Sequence, residues 1–69
     1  MTRDNALRVI VLTMISEFKN PPCMSDLLKR FEQTTIKIYN YELSRMLWQM
    51  NAEGLITIHY GLISPTQND

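Results

Sequence analysis

Between Arg3 and Lys19 the apolar residues Leu7, Ile10, Val11, Met14, Ile15 and Phe18 recur at three- and four-residue steps. Steps of three and four are the period of one helical face, so the spacing predicts a first helix here. Thr2 or Asp4 can cap its start by accepting a bond from a free backbone N–H. Lys19 is expected in the last turn, where a cation suits the helix dipole. Asn20-Pro21-Pro22 ends the element, because proline forbids continuation and disfavours helix in the residue before it. Cys23 and Met24 then read as a short extended link, and Ser25 as the cap of a second helix with Asp26 in its first turn. Leu27, Leu28 and Phe31 form the inner side of that helix, with Lys29, Arg30 and Glu32 outward.

From Gln33 to Tyr39 the pattern changes. Ile36 and Ile38 alternate with Lys37 in a strand-like way, after two turn-friendly threonines. The stretch reads as a long turn that pins Ile36 or Ile38 to the core. The alternative is a third helix that already starts at Thr35. The third helix is clear from about Asn40 to Glu53, with Leu43, Met46, Leu47 and Met50 as its apolar stripe. Gly54 is the expected left-handed stop. Two short apolar runs, Leu55–Tyr60, rich in β-branched and aromatic residues, and Leu62–Ser64, flank Gly61 and predict a β-hairpin.

The fold class predicted is α+β, mainly α: three helices followed by a two-stranded β-hairpin. Residues 1–65 are expected to form one domain and residues 66–69 a frayed tail. The order of elements resembles the winged helix-turn-helix superfamily of DNA-binding proteins. The resemblance is strongest at Leu43, Leu47, Met50, Gly54, Leu55 and Ile56, which match the family's leucine, leucine, apolar, glycine-leucine-isoleucine pattern. It covers roughly Arg3 to Pro65 and is of the kind shared by small bacterial, archaeal, phage and plasmid transcriptional regulators. Two departures stand out. The link before the third helix is longer than in compact versions, and the short hairpin tip carries no Arg or Lys.

The resemblance implies that the third helix enters the DNA major groove, where base edges present distinct donor and acceptor patterns. With Leu43, Leu47 and Met50 inward, steps of 100° turn Tyr41, Ser44, Arg45 and Trp48 away from the core, with Asn40, Glu42 and Gln49 on the flanks. Arg45 suits guanine or phosphate, Asn40 and Gln49 suit adenine, and Ser44 and Tyr41 suit phosphate. Lys29, Arg30 and Lys37 would add backbone contacts. Each of these charges also fits an ordinary solvated surface. Glu42 would repel phosphate unless it meets cytosine or pairs with Arg45 or Lys37. Tyr39, Tyr41 and Tyr60 fit packing as well as DNA contact. His59 reads as a surface residue, and Cys23 as a small hydrophobe.

Charge weakens the DNA reading without removing it. Seven basic and seven acidic residues leave a formal net charge of +0. Between Lys29 and Arg45, four basic residues face two acidic ones, a balance of +2, and from Met46 onward only Glu53 and Asp69 are charged. No paired carboxylates, glycine-rich phosphate loop or nucleophile motif is present, so no enzyme is expected. One cysteine and one histidine make neither an internal disulfide nor a zinc site, and no cofactor or metal is expected. A lone thiol without a recognisable secretion signal fits the cytoplasm.

The apolar surplus points to a partner. Val9 and Leu12 fall opposite the inward stripe of the first helix and would suit a homodimer through that helix, unless the hairpin or tail covers them. Trp48 is open to three places: under the wing, which is the first expectation, against a protein partner, or beside DNA sugar and phosphate. The leading function is a double-stranded DNA-binding transcriptional regulator. The alternative is a winged helix used for protein–protein contact, as a subunit of a larger assembly or a phage-encoded inhibitor of a host protein.

Overall fold

A computed structural model describes residues 2–66. Three helices come first: α1 (Arg3–Glu17), α2 (Met24–Glu32) and α3 (Asn40–Ala52). An antiparallel hairpin of β1 (Ile56–His59) and β2 (Leu62–Pro65) follows. The layout is winged-helix-like, with α2 and α3 as the helix pair and the hairpin as wing. Gln67, Asn68 and Asp69, expected in the tail, lie outside the described residues.

Each boundary has a local cause. Thr2 caps α1, its Oγ1 accepting from Asn5 N at 3.2 Å. α1 stops at Glu17, so Lys19 lies beyond its last turn. The cap of α2 is Cys23, not Ser25. Asp26 Oδ2 accepts the Cys23 amide at 3.1 Å and its thiol at 3.4 Å, and Met24 is drawn into the helix. These bonds, the amide's first, hold the Asp26 carboxyl below the ordinary aspartate range. Thr34 closes α2 by donating to Phe31 O at 2.7 Å and accepting Ile36 N at 3.1 Å. The chain then runs without regular structure to Asn40, and Ile36 and Ile38 both pack against the core.

α3 ends in a Schellman motif. Leu55 N bonds Met50 O and Gly54 N bonds Asn51 O, with Gly54 at φ 81°. The first run of the hairpin thus starts at Ile56 rather than Leu55. In the core, Leu27, Leu43, Val11 and Met50 are fully enclosed and Ile56 and Ile63 close the open side. β1 lies against α3 and β2 against α1. The link between α1 and α2 also touches the wing: Ile63 N donates to Pro22 O at 2.8 Å, and Pro22 is fully buried. Thr66, expected in the frayed tail, donates its amide to Leu55 O at 3.3 Å.

The turn of the hairpin is Tyr60-Gly61, with φ 53° and 76°. Positive φ at both positions is the type I′ turn, which matches the twist of the flanking strands. Glycine adopts it freely, whereas tyrosine is strained there. Tyr60 is 93% exposed, so burial offsets little of that strain. Tyr60→Asn, which tolerates the left-handed region, is expected to stabilise the fold by on the order of 1 kcal/mol. A chemical-denaturation midpoint at or below that of the parent chain would contradict this.

Candidate nucleic-acid interface

The inward stripe of α3 fixes what its other side presents. Leu43, Met46, Leu47 and Met50 are buried. Of the outward set expected from the 100° rotation, Tyr41, Arg45 and Trp48 are exposed and Ser44 is half-buried; on the flanks, Asn40 and Gln49 are exposed and Glu42 is half-buried.

Lys29, Lys37 and Asn40 come together around an open groove of about 930 Å³ between α2, the 33–39 link and the start of α3. Glu32 and Tyr39 also line it. The ring of Tyr39 stacks on that of Tyr41, with centroids 5.5 Å apart and planes at 16°. Arg30 is not part of this grouping. Its guanidinium faces Glu17 of α1 at 3.7 Å and Gln33 at 3.4 Å.

Charge pairing sorts the cations. Arg3 pairs with Glu42, Arg8 with Glu53 and Arg30 with Glu17. Among the described residues, Lys19, Lys29, Lys37 and Arg45 have no such partner. Three of these four, Lys29, Lys37 and Arg45, are on α3 or at the adjoining groove. The described acids near them without an ion pair are Glu32, which lines the groove, and Asp26, one turn from Lys29. A chain of zero net charge thus keeps a small positive excess at one end of α3.

Of the two cations considered as partners for Glu42, neither Arg45 nor Lys37 pairs with it. Arg3 reaches it from the start of α1, Nε to Oε2 at 3.0 Å and Nη2 to Oε1 at 3.0 Å. Nη2 also donates to Lys37 O at 2.8 Å, so one guanidinium ties α1, the link and α3 together. Tyr39 N adds a bond to Oε1 at 3.4 Å. The hydrogen bond from Arg3 is the main force holding the Glu42 carboxyl below the ordinary glutamate range; burial opposes it, and Tyr39 N and the Arg45 charge assist. The same bond raises Arg3 above its ordinary value. An anion on α3 that would repel phosphate is thereby matched by a cation. The pair spans 39 positions of sequence, and periodicity carries no signal for it.

The apolar candidates fare differently. Trp48 is 59% exposed and does not pack under the wing. It borders a smaller groove of about 190 Å³, with Met24, Ser44, Leu47, Ile58, Gly61 and Ile63. Val9 is exposed, but Leu12 is half-buried against the core. The outward pair expected on α1 is reduced to one valine, and a single exposed aliphatic side chain is ordinary surface. His59 is exposed on β1, its ring edge-on to Tyr60 at 4.5 Å. No described helix is long and apolar enough to cross a membrane. Comparisons with protein-family models, curated proteins and solved structures found no match to this chain.

Proposed function

We propose that this chain is a double-stranded DNA-binding regulator of transcription of the winged-helix kind, acting in the cytoplasm by binding rather than catalysis. The observation that carries the reading is the free Arg45 on the solvent face of α3. Tyr41, Ser44 and Gln49 share that face, and Lys29 and Lys37 stand beside the helix start. An α-helix fits the major groove, Arg45 has the fork to read guanine, and the lysines suit the phosphate backbone. The pairing of Glu42 with Arg3 offsets the repulsion that this anion would offer a phosphate.

A second reading has its own support. Exposed Trp48 beside an apolar groove between α3 and the wing suits a protein partner. Anisotropy titrations of labelled duplex DNA at low and moderate salt separate the two. The two lysines assigned to phosphate give an expected logarithmic salt slope of about −1.8, or roughly 12-fold weaker binding for a fourfold rise in salt. No binding to any duplex at low salt would remove the DNA reading and leave the protein-contact one.

A further inference from the structure

We propose that Arg3 is a positioning residue for DNA binding: by occupying the Glu42 carboxylate it keeps Arg45 free to meet DNA. This rests on the DNA-binding reading above. Glu42 and Arg45 stand three apart on α3, a spacing at which opposite charges pair along a helix surface. Yet Arg45 forms no ion pair among the described residues. The reason is that both oxygens of Glu42 are taken. Oε2 accepts Arg3 Nε, and Oε1 accepts Arg3 Nη2 and Tyr39 N.

A two-pronged guanidinium fork holds a carboxylate better than a flexible neighbour that must give up rotamer freedom to reach it. The fork is itself held, because Nη2 also donates to Lys37 O. The Glu42 side chain is only 14% exposed, so water replaces a missing partner poorly. Without Arg3, the cation one turn along is Arg45, whose charge already helps keep the Glu42 carboxyl ionised. Arg45 would then turn inward to Glu42. DNA would lose its reader, and the site one positive charge.

Duplex affinity of the parent chain and four variants tests this, with a thermal melt of each. Arg3→Met is expected to weaken binding roughly tenfold, close to the effect of Arg45→Ala. Adding Glu42→Gln to Arg3→Met frees Arg45 again and should bring affinity back to within about threefold of the parent. Arg3→Met placed on Arg45→Ala should cost nothing further. Binding read well below each melting midpoint separates positioning from plain stability, because a loss of fold from Arg3→Met would persist on the Arg45→Ala background, whereas a positioning effect would vanish there. If Arg3→Met proves too unstable, the double variant alone decides by its affinity. Parent-like binding by Arg3→Met, or a double variant tenfold weaker than the parent, overturns the proposal. A parent chain that binds no duplex overturns the DNA reading itself.

Discussion

Replacing Arg45 by alanine is expected to weaken binding to a specific duplex by roughly 1–3 kcal/mol, a factor of about 5 to 150, and to relax discrimination at one base pair. The side chain is exposed, makes no ion pair among the described residues and lies on the opposite side of α3 from Leu43 and Leu47. Its removal therefore leaves the fold alone, and the melting temperature should stay that of the parent. Lys29→Ala provides the contrast. Removing a phosphate-binding cation there should weaken all sequences about equally and reduce the salt slope by about 1. Titrations of matched and mismatched duplexes distinguish the two effects. Equal weakening by the two variants on every sequence would make Arg45 a backbone anchor and not a reader.

Leu43→Ala is expected to have the largest effect on stability. Leu43 has no exposed surface and lies on the inward stripe of α3, within the core that α1, α2 and the hairpin share. Truncating a buried leucine costs about 2–5 kcal/mol, from the transfer energy forfeited and the cavity left behind. A domain this small has a total margin of only about 3–5 kcal/mol from its core. The variant should therefore be largely unfolded or melt well below the parent, at roughly 4–8 °C per kcal/mol. Circular dichroism against temperature measures it. A melt within a few degrees of the parent would mean that this core does not hold α3 in place.

The contrast between these residues explains how much of the molecule is legible in its sequence. Leu43 and Arg45 lie on opposite sides of one helix, and a period of 3.6 residues separates them without any coordinates. Gly54 announces the Schellman stop, and Gly61 the hairpin turn. Ser25 misleads because side-chain oxygens compete for caps. Asp26 takes the Cys23 amide, and the helix starts earlier in the chain. Leu12 misleads because α1 is packed on by both α2 and β2, which widens its buried arc beyond a single stripe. Trp48 lies at the margin of the wing, where residue pattern does not say how far the hairpin reaches.

The site is legible only in part. Tyr41, Ser44, Arg45 and Gln49 follow from the helix period, and Lys29, Lys37 and Asn40 gather because the long link folds back between α2 and α3. Arg30 is drawn off to Glu17, a pairing between helices that their separate patterns do not contain. Arg3 is the residue that pattern alone misses. An arginine at the start of one helix and a glutamate at the third position of another look like two separate end-of-helix charges until the chain folds.

The central claim is that the solvent face of α3 meets duplex DNA. Backbone amide shifts of the isotope-labelled chain, followed as duplex is added, test it most directly. The account predicts that the largest shifts fall at Tyr41, Ser44, Arg45 and Gln49, with smaller ones at Lys29 and Lys37. Shifts confined to Trp48, Ile58 and Gly61, or an unchanged spectrum at low salt, would contradict it.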